Sequence, residues 1–307
     1  MDRFKGIIPP VFTPFLPNED VDEDSFVRLI QFLIEAGVHA IWVEGSSGEF
    51  SALTLDERKR LYELSVKKVE GKIPVLAGVS HSSTRVAIDL AQSAEEAGAD
   101  ALIATPPYYH HSSPASVFEH YKAIVESVDI PVAIYDNPET TMHTLSTDLV
   151  GRLVRELKMH TIKLCPYPHE TPLERAMKLK KLLGDDCNIF VASAQFAYYA
   201  FSMGVAEGVV SAMLNVIPHE FVRMYNAIQK GDEEIARDIQ YRKVLPLAFF
   251  AFYFSKEETT YPQVGKTILK WRGVISHDQV RKPLSPLPEW QVKYLKDMAR
   301  YTGLVPV

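Results

Sequence analysis

The chain has few of the features that mark membrane, nucleic-acid-binding or disulfide-stabilised proteins. Its longest apolar run covers only residues 244–254, too short to cross a bilayer, and its net charge of −6 includes no basic stripe. Its two cysteines, Cys165 and Cys187, stand outside any metal or redox motif. The proline-broken start, MDRFKGIIPPVFTPF, lacks the layout of a signal peptide. These absences predict a soluble cytoplasmic protein with no nucleic-acid or membrane partner.

What the chain does contain is a regular alternation of short β-branched runs and helical patterns. Its 307 residues, 47% of them hydrophobic, can bury a large core. In the first helical pattern, apolar residues from Phe26 to Ile34 follow one helix face, and we expect Gly37 to end this helix. Asp22 or Asp24 is expected to cap it. Eight segments are predicted as strands: 6–12, 39–45, 73–80, 101–107, 130–137, 160–165, 188–194 and 208–213.

A weak internal repeat indicates how these elements are arranged. Gly37 and Gly98 each end a helical pattern before a strand, and they stand two units of about 30 residues apart, where one unit is a βα step. Evenly spaced strands without a G-x-G-x-x-G turn favour a barrel over a doubly wound sheet. We therefore predict an α/β fold, a (β/α)8 TIM barrel with a C-terminal helical extension. Residues 1–225 form the barrel that carries the active site, and residues 226–307 the helical region.

A lysine within a strand that otherwise looks buried is the most informative single residue. In HTIKLC (160–165), alternation turns Ile162 and Leu164 toward the helices, so that Lys163 points into the barrel near the carboxyl end of its strand. Tyr135 on the preceding strand points the same way. A desolvated amine has a lowered pKa and attacks ketones, and a phenol transfers protons. Alternation alone agrees equally well with an inward structural cation neutralised by carboxylates.

Two loops that follow predicted strands carry polar groups suited to a ligand. In EGSSGEF (44–50), two glycines bracket two serines, and such hydroxyls with neighbouring N–H groups suit a carboxylate. TPPYYHHSSP (105–114) is rich in aromatic residues and histidines. His110 and His111 predict no metal site, because the further ligands that a metal needs are absent from the pattern. Each stretch is also typical of an ordinary surface turn.

Seven short motifs occur in an order that resembles one enzyme family. They are IPPVFTPF in the first strand, GSSGE after the second, PPYY after the fourth, YDNP after the fifth, IK in the sixth, GVAEGVVSA at the last strand and YPQVGKTILKWRG in a C-terminal helix. The chain is similar to the dihydrodipicolinate synthase / N-acetylneuraminate lyase family of class I, pyruvate-handling barrel enzymes. The ordered set carries the resemblance over nearly the whole length. It implies imine chemistry with a 2-oxo acid and no metal or organic cofactor.

The resemblance also implies roles for individual residues in the half of the site that handles pyruvate. Lys163 matches the Schiff-base lysine, and Tyr135 matches the phenol that transfers protons. Ser46 and Ser47 stand at two hydroxyl positions near the substrate carboxylate, and Ser46 also belongs to the proton relay. Val210 stands where relatives offer a backbone carbonyl near the lysine. An imine of this kind acidifies the methyl group of pyruvate, and the resulting enamine adds to an aldehyde.

Other positions bear on assembly and on the second substrate. Tyr109 matches a tyrosine that, in family tetramers, one subunit contributes to its neighbour across a subunit contact. This match implies a homotetramer. Thr140 takes the place of an arginine in dihydrodipicolinate synthase. The stretches LCPYPHE (164–170) and SAQFAYY (193–199) also depart from common family patterns. The half of the site that handles pyruvate is thus intact, whereas the half for the aldehyde is rebuilt.

These observations lead to one main functional expectation. The chain is expected to be a lyase that cleaves or forms a 4-hydroxy-2-oxo acid of the 2-keto-3-deoxy sugar-acid type, from pyruvate and an aldehyde. Dihydrodipicolinate synthase and a keto-deoxy sugar-acid dehydratase are alternatives that use the same lysine imine. A barrel that binds a keto acid without catalysis is an alternative from another class.

Overall fold

The chain folds into a closed barrel of eight parallel strands. The computed structural model describes residues 4–166, 169–253 and 261–304. The strands pair in the order β1-β8-β7-β6-β5-β4-β3-β2, and a parallel bridge between Pro10 and Trp42 joins the chain beyond β1 to β2. The strands are β1 (Gly6–Ile7), β2 (Ile41–Val43), β3 (Val75–Gly78), β4 (Ala101–Ala104), β5 (Val132–Asp136), β6 (Thr161–Leu164), β7 (Asn188–Val191) and β8 (Gly208–Val209).

Helices alternate with these strands and then continue alone to the C-terminal part of the described chain. They are α1 (Glu23–Glu35), α2 (Leu55–Val69), α3 (Thr84–Glu96), α4 (Pro114–Val125), α5 (Pro138–Thr141), α6 (Thr147–Leu157), α7 (Pro172–Leu183), α8 (Ala197–Ser202), α9 (Pro218–Gln229), α10 (Glu233–Ile239), α11 (Leu245–Tyr253), α12 (Tyr261–Trp271) and α13 (Glu289–Tyr301). A π-helical segment, Gln240–Val244, joins α10 to α11. The TIM barrel and its C-terminal helices are confirmed, and the division at residue 225 stays a prediction.

The strands are present where the sequence predicts them, but they are shorter than predicted. Parallel hydrogen bonding ends within a few residues, and the chain beyond each strand turns into a loop at the carboxyl end of the barrel. Helix starts follow local chemistry. The Asp22 side chain accepts a hydrogen bond from Ser25 N, and Thr54 and Glu57 form a reciprocal capping box. Gly37 follows α1 with a φ of +80°, which suits glycine.

Side-chain alternation separates two apolar layers, as the pattern around Lys163 predicts. Ile162 and Leu164 belong to the large layer between the strands and the surrounding helices. A smaller cluster fills the interior of the barrel, and it includes Trp42, Tyr135 and Phe190. Because this interior is packed with side chains, a ligand site has room only at the carboxyl ends of the strands, where barrel enzymes place their sites.

The C-terminal helices pack against the barrel at several places. A Cβ built on Gly265 of α12 would lie 2.2 Å from the Phe12 ring, so the helix backbone touches the chain after β1 directly. The Gln240 side chain donates to the Gln195 carbonyl at 3.0 Å. The Tyr199 hydroxyl shares a hydrogen bond of 2.9 Å with Tyr241, and this contact turns it toward the C-terminal helices. None of the helices in the described ranges is long and apolar enough to cross a bilayer.

Candidate active site

Lys163 lies in the barrel interior with its ammonium group over two aromatic rings. Its Nζ is 4.2 Å from the ring centre of Trp42 and 4.1 Å from that of Tyr135, and the residue is 6% exposed. No residue in the described part of the chain forms an ion pair or hydrogen bond with this amine. Burial lowers the pKa of Lys163 to about 8. The neutral form of the amine is the nucleophile, and a lowered pKa makes this form more abundant near neutral pH.

Tyr135 stands beside Lys163 because the two residues are paired in register on β5 and β6. Its hydroxyl shares a hydrogen bond of 3.2 Å with Ser46 Oγ and accepts one of 3.0 Å from Asn137 Nδ2. The Cys165 thiol also donates to it at 3.8 Å. Burial raises the pKa of Tyr135 well above its ordinary value, so the phenol stays protonated at neutral pH. A protonated phenol in contact with a second hydroxyl can give and take protons.

Ser46 and Ser47 lie on a tight loop, residues 45–49, which we call the serine loop. Ser46, Ser47 and Gly48 form a single 3-10 turn, and Glu49 ends it with a left-handed φ of +57°. A Cβ on Gly48 would lie 3.0 Å from the Val11 carbonyl, which explains the glycine. The Ser46 side chain is exposed at the barrel mouth, and that of Ser47 is half-buried. The loop thus presents one hydroxyl to Tyr135 and a second one beside it.

The remaining predicted residues are more dispersed. Val210 is buried in the interior cluster after β8. Thr140 is exposed on the short helix α5, where its hydroxyl donates to the Asn137 carbonyl at 3.4 Å. Tyr109 projects from the loop after β4, 80% exposed and with a φ of +83°. Among the described residues no group of three or more His, Cys, Asp or Glu side chains could hold a metal ion.

Several residues of the site carried no functional prediction. Trp42 and Asn137 each contact a predicted catalytic group, and strand alternation would have turned Trp42 inward. Glu44 has a positive φ of 63°, and its Oε2 accepts from Arg58 Nε at 2.9 Å below the serine loop. Burial raises the pKa of Glu44 to about 7 even though Arg58 opposes this. The only sequence signal for this pair is a charged residue at the end of a buried strand.

Comparison with known proteins agrees with this geometry. The sequence profile of the dihydrodipicolinate synthetase family matches residues 3–301. The chain belongs to this family. It is a lyase of the pyruvate-dependent, class I type. It is 33% identical over 298 residues to a 4-hydroxy-tetrahydrodipicolinate synthase of Desulfotalea psychrophila, with 96% of each chain covered.

Solved structures are similar over almost the whole chain. One is that of a prophage protein of the dihydrodipicolinic acid synthase family from Escherichia coli K12 in complex with pyruvate. It has a TM-score of 0.89 and 27% identity, and the match covers 98% of this chain and 99% of that one. Another, described as a monomeric dihydrodipicolinate synthase variant, has a TM-score of 0.89 and 29% identity, with 98% of each chain covered. The likeness therefore extends through the C-terminal helices.

The surroundings of Lys163 predict an unusually acidic ammonium group. A ¹³Cε NMR titration of protein with labelled lysines should show its midpoint near pH 8, because burial disfavours the charged form. The Lys163 signal is assigned as the one missing from the Lys163→Ala spectrum. Protonated amine dominates below this midpoint and neutral amine above it. A midpoint near the ordinary lysine value of 10.5 would contradict the prediction.

Proposed function

We propose that Lys163 forms an imine with pyruvate and that Tyr135 and Ser46 move the protons of this reaction. The observation that carries the proposal is a buried amine that has no carboxylate partner in the described part of the chain and lies against a phenol hydrogen-bonded to a serine. A structural cation would need a neutralising partner at this depth. The relative from Escherichia coli solved with pyruvate supports pyruvate as the 2-oxo acid.

The chemistry follows from these groups. The neutral Lys163 amine attacks C2 of pyruvate, and the carbinolamine loses water to give the imine. Loss of a methyl proton gives an enamine, which attacks the carbonyl carbon of an aldehyde and forms a carbon–carbon bond. Tyr135 and Ser46 relay the protons, and water then releases the 4-hydroxy-2-oxo acid and regenerates the amine. Cleavage is the same sequence in reverse. In this proposal, Ser47 and the backbone of the serine loop hold the pyruvate carboxylate, and the family resemblance assigns the Val210 backbone carbonyl a place near the imine.

Trapping with borohydride tests the nucleophile. Reduction in the presence of pyruvate should add one pyruvate-derived mass to a peptide that contains Lys163, because borohydride converts the imine to a stable amine. Lys163→Ala should abolish both trapping and turnover, whereas Lys158→Ala, which removes an exposed lysine, should retain both. Turnover close to the wild-type value in Lys163→Ala would refute the assignment. A barrel that binds a keto acid without imine chemistry would gain no mass at all.

The relay is tested by removing one hydroxyl. Tyr135→Phe should still bind pyruvate but lose about 10²–10⁴-fold in turnover, since general acid–base groups contribute this much. Tyr121→Phe is the matched control, because it removes another buried hydroxyl, which donates to the Ala104 carbonyl at 3.1 Å. Steady-state kinetics of both variants give the comparison. A loss below about threefold in Tyr135→Phe would mean that another group carries the proton.

For the second substrate we propose an uncharged aldehyde, of the kind that cleavage of a 2-keto-3-deoxy sugar acid releases together with pyruvate. An arginine at this position would bind the carboxylate of aspartate semialdehyde through two charge-assisted hydrogen bonds, whereas the Thr140 hydroxyl offers one neutral hydrogen bond. Glu139, the residue before Thr140, adds a carboxylate to the edge of the site where Thr140 lies. Dihydrodipicolinate synthase, the activity named for the Desulfotalea relative, is the alternative.

The sugar-acid aldolase and the synthase are distinguished by comparing two aldehydes in the wild type and in a Thr140 variant. With pyruvate saturating, glyceraldehyde should exceed aspartate semialdehyde in kcat/KM. Thr140→Arg should shift this ratio toward aspartate semialdehyde by about tenfold, the difference between charge-assisted and neutral hydrogen bonds. Thr144→Arg, which places the same charge at another exposed position, should shift it less. Higher efficiency of the wild type with aspartate semialdehyde would favour the synthase instead.

We also propose a homotetramer in the cytoplasm. Tyr109 supports assembly, because an aromatic side chain held 80% exposed suits a residue that serves a neighbouring copy. Both cysteines are free and buried, which suits a reducing compartment. The monomeric variant among the similar structures means that family membership alone leaves the oligomeric state open.

A further inference from the structure

A buried ion pair anchors the C-terminal helix α12 to the serine loop. Lys266 Nζ donates to Glu49 Oε1, and the two side chains are 0% and 2% exposed. Lys266 also donates to the Gln279 carbonyl at 3.0 Å and lies 4.2 Å from the ring centre of Phe15. A buried ammonium group with two acceptors and an aromatic face needs no water. This pair joins residues 217 positions apart in the chain.

The second oxygen of the Glu49 carboxylate is held separately. Its Oε2 accepts from the Arg281 backbone N–H at 2.9 Å. The Arg281 guanidinium is fixed in turn by the Glu57 carboxylate at 2.7 and 2.8 Å, in the two-bond geometry that arginine and carboxylates favour. Two groups from the C-terminal part of the chain therefore hold Glu49 from different directions, and its side chain has little freedom to move.

Glu49 is also in direct contact with the reactive end of the serine loop. Its backbone N–H donates to the Ser46 carbonyl at 3.1 Å and closes the 3-10 turn. Ser46 Oγ is in turn 3.2 Å from Tyr135 Oη. A continuous series of contacts thus runs from Lys266 through Glu49 and Ser46 to the phenol. A shift of Glu49 would move the Ser46 hydroxyl relative to Tyr135.

We propose that Lys266 is a positioning residue for the pyruvate half of the reaction. By holding Glu49, it fixes the Ser46 hydroxyl against Tyr135 and the serine loop against the pyruvate carboxylate. The inference rests on the proposed function, in which these groups serve the imine at Lys163. It makes the C-terminal helical region a part of the active site through Glu49 and not through contact with substrate.

The test is the rate of pyruvate trapping in Lys266→Met. With cyanoborohydride and limiting pyruvate, the rate should fall by about tenfold or more, because small displacements of catalytic groups have effects of this size. The midpoint of the Lys163 ¹³Cε titration should remain near pH 8, since the aromatic contacts of that amine come from the barrel interior. A general loosening of the barrel would expose Lys163 and move its midpoint toward the ordinary lysine value.

Two control variants separate positioning from stability. Lys270→Met removes an exposed lysine from the same helix, where it pairs with Asp278 at 2.8 Å. Ile268→Val weakens the packing of α12 but keeps the buried pair. Both should trap pyruvate within about twofold of the wild-type rate, since exposed pairs contribute little and a single methyl group leaves the helix in place.

Each of the other possible results for these variants decides for or against the positioning role of Lys266. Lys266→Met that traps pyruvate at the control rate overturns the inference, and so does slow trapping with a displaced Lys163 midpoint. Should Lys266→Met fail to fold, because Glu49 is left buried and unpaired, Glu49→Gln/Lys266→Met removes both charges and should fold. That double variant should also trap slowly, and a wild-type rate overturns the inference. Wild-type protein that traps no pyruvate refutes both the proposed function and this inference. If the wild type traps pyruvate normally, a failed prediction for Lys266→Met overturns only the proposed role of Lys266.

Discussion

The arrangement of this protein depends on burying the Lys163 amine with no carboxylate beside it among the described residues. A drop in its pKa from 10.5 to about 8 corresponds to about 3 kcal/mol of folding free energy. This cost is present in full below about pH 8, where the unfolded lysine is charged, and it decreases only as the pH rises toward the ordinary lysine value. The Trp42 and Tyr135 rings reduce it, since aromatic faces attract a cation. The rest of the barrel supplies the stability that offsets what remains.

The other buried cations of the described chain show why the partner matters more than burial. Arg58 and Lys266 are as deeply buried as Lys163, but each has a carboxylate, Glu44 and Glu49 respectively. Burial lowers the pKa of Lys266 to about 8 as well, so a depressed pKa alone would not distinguish the two lysines. Geometry does: Lys266 is held by its acceptors, whereas Lys163 faces aromatic rings and a phenol. Arg58 and Lys266 are ion-paired, whereas Lys163 has no such partner within the described ranges, which agrees with the proposal that its amine reacts.

Local patterns predicted the parts of this fold that depend on local chemistry. Strand alternation placed Lys163 and Tyr135 in the interior, and capping residues such as Asp22 marked a helix start correctly. Contacts that require the closed barrel were not predictable. The pairing of Glu49 with Lys266 joins the second βα loop to a helix near the other end of the chain. The serine motif suggested a carboxylate site, but nothing in its sequence indicates which groups hold it.

Helix α12 carries residues that bear on both halves of the proposed site. Tyr261 begins this helix. Burial raises the pKa of its phenol, and the charges of Glu139, the residue before Thr140, and of Cys165 raise it further. Lys266 stands five residues further on, a distance of about 8 Å along a helix, and holds the serine loop. If Lys266 positions the serine loop as proposed, substitutions near Tyr261 can change the side proposed for the aldehyde while the side proposed for pyruvate stays fixed. On the proposed function, a chain can thus keep Lys163, Tyr135 and the serine loop in place while position 140 carries a threonine.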